Sequence, residues 1–287
     1  MLPFINPKTD FAFKKIFGSP QSKNILLSFL NALLYDGNPI IQDLTIIDPY
    51  QAPRIEGMKE SFLDVKARLS DNRSVIIEMQ VLNVLGFKKR VLYNAAKAFS
   101  TQLKRGEDYT LLNPVIALTI TDFEMFDGSS KVISHYQLKE KDELTDYSDD
   151  IELVFAELPK FKKSIDELET LSDKWLYFLK EANNLESVPA NLNQEPAIQS
   201  AFEVALESRL TQDEMETLDR QARMIHDSRN ALRFAQQQGE MEGMQKGMRE
   251  GRREEKIAIA RSLLNKLSIP EISQVTGLSI EEIEALN

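Results

Sequence analysis

The sequence predicts an α/β protein: an α+β mixed sheet flanked by helices, followed by an all-helical C-terminal region. Three observations carry that expectation. Short apolar runs with the two-residue alternation of strands occur between residues 44 and 157, segments of helical period lie before and among them, and no strand signal recurs beyond about residue 165.

The elements follow in order. Lys8-Thr9-Asp10 opens a helix whose apolar contacts are Phe11, Phe13, Ile16 and Phe17, and Gly18-Ser19-Pro20 ends it. Ser22 starts a second helix through Ile25 to Leu34, stopped by Asp36-Gly37-Asn38-Pro39. Leu44 to Asp48 reads as a strand, Phe62 to Leu69 and Ser74 to Leu82 as two more, and Phe87 to Gln102 as a helix with Phe87, Val91, Ala95 and Phe99 on one side. Pro114 to Thr121 is a clear apolar strand, and Lys131 to Leu138 and Ile151 to Glu157 are weaker ones. Lys163 to Lys180, Asn193 to Leu210 and the charged Gln212 to Gln238 complete the series as helices.

Composition narrows the chemistry. With 287 residues, 42% of them hydrophobic, the chain can bury a sizeable core as one domain with an appendage, or as two. It has no cysteine and only His135 and His226, which excludes cysteine zinc sites, thiol nucleophiles and disulfides and leaves little for histidine catalysis. No signal peptide is evident and no apolar run approaches the ~18 residues of a membrane helix, so a cytoplasmic protein is expected. The net charge of −10 hides an asymmetry: residues 1–110 hold 15 Lys+Arg against 11 Asp+Glu, a balance of +4, leaving −14 for the remainder. The basic half is the one that tolerates a polyanion.

The same half holds two acids on apolar strands. In the first run Leu63, Val65, Ala67 and Leu69 are expected to share one face, with Phe62, Asp64, Lys66 and Arg68 on the other. In the second, Val75, Ile77, Met79 and Val81 form an apolar face opposite Ser74, Ile76, Glu78, Gln80 and Leu82. Ser70-Asp71-Asn72-Arg73 is turn chemistry, so the two runs make an antiparallel hairpin. If Leu69 pairs with Arg73, Asp64 lies opposite Glu78; if Ser70 pairs with Ser74, Asp64 lies opposite Gln80 with Glu78 as diagonal neighbour. If Leu69 pairs with Ser74 the acids part, because a one-residue slip exchanges the faces. A shared face would suit a metal ion.

An ordered set of motifs resembles a known family. Asp10-x-x-Phe13-Lys14-x-x-Phe17-Gly18, Leu63-Asp64-Val65-Lys66, Ile77-Glu78-Met79-Gln80, Arg90-x-x-Tyr93 and Gly106-x-x-Tyr109 look like the recombination-promoting nuclease and transposase family of the PD-(D/E)xK superfamily. The resemblance covers roughly residues 1–165 and implies a restriction-endonuclease-like core. It implies that Asp64 and Glu78 ligate Mg2+, with Mn2+ or Ca2+ as substitutes, and that Gln80 stands where the superfamily usually has lysine. Two carboxylates and a backbone carbonyl, that of Met79, suffice for an ion that keeps several waters. A neutral amide cannot supply positive charge to a phosphate transition state, a role Lys66 could fill from the Asp64 face. Asp10 resembles the family's additional acid, with helix capping as its alternative role. Arg90 and Tyr93, one turn apart, are placed to hold a phosphate, the alternative being an ordinary ion pair and a core-edge phenol. Lys88 and Lys89 extend that cationic run either as DNA contacts or as a solvated helix start.

The C-terminal region has its own features. Gly239, Gly243, Gly247 and Gly251 recur every fourth residue, which suggests either close helix approach or a flexible linker. Residues 257–283 resemble a helix-turn-helix, yet residues 268–287 carry Glu271, Glu281, Glu282 and Glu284 and no Lys or Arg. DNA phosphates would repel such a recognition helix, which favours self-association. The expectation is therefore a nuclease-like domain at 1–165, a helical extension at 166–238, and a glycine-spaced helix with a small self-association module at 239–287. The activity expected is Mg2+-dependent endonucleolytic hydrolysis of DNA, linked to recombination, mobile elements or defence, in a homo-oligomer. The alternative is a catalytically weak nuclease-fold protein with an oligomeric, DNA-binding or regulatory role.

Overall fold

The computed structural model describes residues 3–51 and 61–286. Two compact units result, Met1–Ile225 and His226–Asn287.

The first unit begins with α1 (Asp10–Phe17), where Thr9 caps the helix by accepting from the Ala12 amide at 3.3 Å. Capping thus falls to Thr9 rather than to Asp10. Gly18 closes the helix, and a Cβ there would lie 2.8 Å from the Lys14 carbonyl oxygen, so the motif glycine answers a close backbone approach. Helix α2 (Lys23–Tyr35) ends where Asp36 and Gly37 take positive φ, at 53° and 85°.

The strands of the main sheet are β1 (Leu44–Ile47), β4 (Val65–Leu69), β5 (Ser74–Gln80), β6 (Val115–Thr121), β7 (Ile133–Lys139) and β8 (Asp146–Glu157). A two-stranded ribbon, β2 (Tyr50–Gln51) with β3 (Ser61–Phe62), lies outside it. The sheet order is β1-β4-β5-β6-β8-β7, with β5, β6 and β8 parallel and the remaining pairs antiparallel. Between β5 and β6 the chain crosses over through α3 (Phe87–Ser100), as parallel neighbours require. All of β6 is buried, which makes it the centre of a mixed sheet with helices on both faces.

On one face Val65, Ala67, Val75, Ile77, Ile116 and Leu118 meet α1 and α2, joined by α4 (Leu171–Glu181) and α6 (Pro196–Val204); between them lies the short α5 (Ala190–Asn193). Trp175 is fully buried there, its indole N–H donating to Ser28 Oγ at 3.1 Å and its ring set against Phe17, Phe29 and Phe178. The helices beyond residue 165 therefore share the core of the sheet. On the other face Ile76, Val115 and Ala117 pack on Ala95 and Ala98 of α3.

Leu63 packs in that second cluster, not with Val65. The expected alternation breaks at Asp64, which lies in a bend before β4 begins. The physical cause is a doubled backbone position: Asp64 donates its N–H to Ile77 oxygen, although Ile77 is already the ladder partner of Val65. The last strand also starts earlier than Ile151, because Asp146 to Asp150 pair with the exposed edge strand β7.

Helix α7 (Gln212–Leu263) runs unbroken through the glycine stripe, and a Cβ on Gly239, Gly243, Gly247 or Gly251 would meet nothing within 4 Å among the described residues. In the second unit its last turns join α8 (Ile269–Thr276) and α9 (Ile280–Glu284) around Ala260, Ile272, Leu278 and Ile283. Ser268 with Glu271 and Ser279 with Glu282 form capping boxes at the two short helices. Among the described residues no helix is long and apolar enough to cross a membrane.

Candidate active site

The hairpin turn resolves the register. Asn72 adopts φ 70°, Leu69 N–H donates to Arg73 oxygen at 2.8 Å, and the ladder runs from Arg68 opposite Ser74 to Val65 opposite Ile77. Of the three registers open in the sequence this is the one with Leu69 facing Arg73, whose continuation sets Asp64 across from Glu78. Because the chain bends at Asp64, the two carboxylates acquire different partners.

Asp64 reaches toward α1. Its Oδ2 accepts the Met79 N–H at 2.6 Å, and its Oδ1 lies 3.7 Å from Lys14 Nζ, which also pairs with Asp10 at 2.5 Å. The Asp64 side chain is only 13% exposed. Burial above all, with a hydrogen bond and charge repulsion from Asp10 and against the opposing pull of the Met79 amide and Lys14, raises its carboxyl to about 7. Asp10 itself is held from the far side by Gln221, whose Nε2 donates at 3.3 Å while its Oε1 accepts the Phe11 amide.

Glu78 faces α3. Arg90 Nη2 donates to Glu78 Oε1 at 2.5 Å and to Gln80 Oε1 at 2.6 Å, and Asn94 Nδ2 approaches Glu78 Oε2 at 3.5 Å. Gln80 spends its other end on the Leu82 carbonyl, at 2.7 Å, so both halves of the amide are engaged. Arg90 sits against the Phe87 ring, and among the described residues its buried Nε has no acceptor. Glu78, Lys89, Arg90 and Tyr93 line a cavity of about 530 Å3. Lys88 lies instead over the Phe126 ring, 4.6 Å from its centre. Lys66 is half-buried with its ammonium pulled down, first by burial and then by Arg68, and Asp48 is its acidic neighbour; opposite Ile76 in the ladder it lies on the α3 face, so the bend at Asp64 parts it from the carboxylate whose face it was expected to share.

The fold thus gathers Asp10, Lys14, Asp64 and the Met79 backbone at one place, and Glu78, Gln80, Arg90, Asn94 and Tyr93 at the adjoining one. Among the described residues no three Asp, Glu, His or Cys side chains form a ready metal-holding group. Lys14 and Asn94 were given no role from sequence, although each stands one helical turn beyond a candidate, Asp10 and Arg90 respectively. Glu157 was missed as well: wholly buried, its Oε1 accepts the Met125 and Phe126 amides of the loop after β6 and its Oε2 pairs with Lys160 at 2.6 Å, so both oxygens are committed. That loop also carries Asp122, which donates its N–H to Gln80 oxygen and pairs with Lys8 at 3.2 Å.

Comparison with known proteins gives one family. The family described as PD-(D/E)XK nuclease family transposase matches residues 7–235. No curated protein and no solved structure matches.

Proposed function

The chain belongs to the PD-(D/E)XK nuclease family transposases, and from that membership we propose that it is a divalent-metal-dependent DNA endonuclease working in recombination, mobile-element or defence reactions. The observation that carries this reading is Asp64, a buried carboxylate set beside a second carboxylate, Asp10, with the single charge of Lys14 between two acids. Hard oxygen donors in excess of their counter-charge suit Mg2+, with Mn2+ or Ca2+ as substitutes. One or two carboxylates are enough for an ion that retains waters, so Asp64 with one further acid suffices. Asp64, Glu78 and the Met79 carbonyl would hold it, and when bound it acidifies water and neutralises charge gathering on the phosphate.

The chain's own groups do the rest. The Met79 N–H fixes the Asp64 carboxylate between the two strands. Arg90 ties Glu78 to Gln80, and a phosphate oxygen entering beside its unsatisfied Nε would draw the guanidinium off Glu78 and free that carboxylate. Gln80 is neutral, so the positive charge facing the phosphate comes from Arg90 on one side and Lys14 on the other, with Lys66 a further source from the neighbouring strand. Tyr93 and Lys89 line the cavity through which the strand would pass, and Lys88 adds charge at the start of α3. Residues 268–287, with four Glu and no Lys or Arg, favour self-association over DNA contact, so we extend the proposal to a homo-oligomer. Sedimentation of the full chain as a monomer would remove that part.

Supercoiled plasmid incubated with Mg2+, Mn2+ or EDTA tests the activity. Nicking that needs the metal and vanishes in Asp64→Ala is expected; nicking that persists in EDTA or in the variant contradicts the assignment. A second reading, a weak or inactive nuclease-fold binding module, draws on Gln80 and on the Arg90–Glu78 pair, and no nicking under any of these conditions would favour it.

A further inference from the structure

The cavity beside Glu78 has walls that a phosphate track alone does not need. Phe62 is 67% exposed and Leu85 fully exposed, with Val84 and Tyr93 partly so, and all four line the same space as Arg90. Gly86, at φ 80°, turns the chain between Leu85 and α3. Of the cations nearby, Lys89 and Arg90 line this cavity, beside the carboxylate of Glu78 that Arg90 already pairs with. Arg90 lines that wall, and its Nε, closed to solvent, meets no acceptor among the described residues.

These features ask for two chemistries in one ligand. The cations and the unsatisfied guanidinium N–H call for a phosphate, while the exposed aromatic and aliphatic side chains call for a flat apolar face next to it. A base inside a continuous duplex keeps its faces within the stack and offers only its edges and backbone. An unpaired nucleotide offers both the phosphate and the face. A volume of about 530 Å3 admits a whole nucleotide. We propose that this cavity seats an unpaired base of the DNA strand whose phosphate is bound at Arg90, so that the preferred substrate carries unpaired nucleotides rather than continuous duplex. The inference rests on the nuclease reading above and adds its substrate class.

The test uses the full chain in EDTA, so that no strand is cut, and fluorescein-labelled DNA of one sequence as a duplex, as the same duplex with one bulged nucleotide, and as a single strand. The bulged and single-stranded probes are expected to bind about tenfold more tightly than the duplex. Leu85→Ser, at a fully exposed position that leaves the core untouched, and Phe62→Ala are each expected to bring the bulged probe to the duplex value. Equal affinity of the wild type for bulged and continuous duplex overturns the proposal, as does a preference that survives both substitutions. Cleavage of the same probes in Mg2+ separates the two readings. Asp64-dependent cutting without a bulge preference removes the base site alone, whereas a bulge preference without Asp64-dependent cutting removes the nuclease assignment.

Discussion

Replacing Asp64 with asparagine should stabilise the metal-free protein. The carboxyl sits 13% exposed beside Asp10, and its folded value of about 7 stands roughly three units above its ordinary 3.8. At about 1.4 kcal/mol per unit, ionising it inside the fold costs up to about 4 kcal/mol, and its sharing of the site with Asp10 sets a working range of about 2–4 kcal/mol. The sign is fixed by linkage. Between pH 3.8 and about 7 the folded chain keeps a proton that the unfolded chain has released, so stability falls as pH rises through that window and levels off above it. Asparagine carries no charge, and its Oδ1 can still accept the Met79 N–H. In EDTA near pH 8 the variant should therefore melt roughly 4–16 °C above the wild type, and the gap should close on approaching pH 4. Added Mg2+ should raise the melting temperature of the wild type and leave the variant unmoved. A variant no more stable than wild type near pH 8, or equally more stable near pH 4, would refute the electrostatic reasoning.

Three further outcomes are expected. Arg90→Lys should lower plasmid nicking by about tenfold or more: Nη2 alone bonds Glu78 and Gln80, and an ammonium in its place leaves no further N–H, such as that of Nε, for a phosphate; a rate equal to wild type would show that this second donor is dispensable. Lys14→Met should reduce nicking by about tenfold or more, and the parallel Lys66→Met variant tells which lysine supplies the charge: an unchanged rate in either removes that residue from the mechanism. Gly18→Ala should cost about 1–3 kcal/mol in urea unfolding, since its Cβ would press on the Lys14 carbonyl at 2.8 Å; an unchanged midpoint would show that the helix end yields freely.

Much of the frame was legible because its punctuation is local. Thr9 and Gly18 bracket α1, Asp36-Gly37 ends α2, and the apolar run of β6 is buried along its whole length, as a central parallel strand must be. The turn Ser70-Asp71-Asn72-Arg73 announced a hairpin but left its register open, since loop length depends on whether Asn72 takes the left-handed conformation. The bend at Asp64 was not legible. An extra backbone position leaves no mark in composition, yet it turned Leu63 onto the α3 face and gave Asp64 the partners of α1. The early start of β8 was hidden because an exposed edge hairpin needs no apolar alternation. The glycine stripe left open a close helix approach or a flexible linker, and among the described residues nothing approaches it. It is helical, and single pairs such as Lys246 with Glu250, both largely exposed, contribute only a few tenths of a kcal/mol toward offsetting four glycines. At the candidate site, strand alternation singled out Asp64, Glu78 and Gln80, and the family resemblance added Asp10 and Arg90. The division into two adjoining clusters needed the fold.

The most direct test of the metal centre is anomalous scattering from a crystal soaked in Mn2+. The account predicts a peak at about 2.1–2.2 Å from an Asp64 carboxylate oxygen, absent from the Asp64→Asn crystal. A wild-type crystal with no peak at Asp64, or with its only peak at another acid, would contradict it.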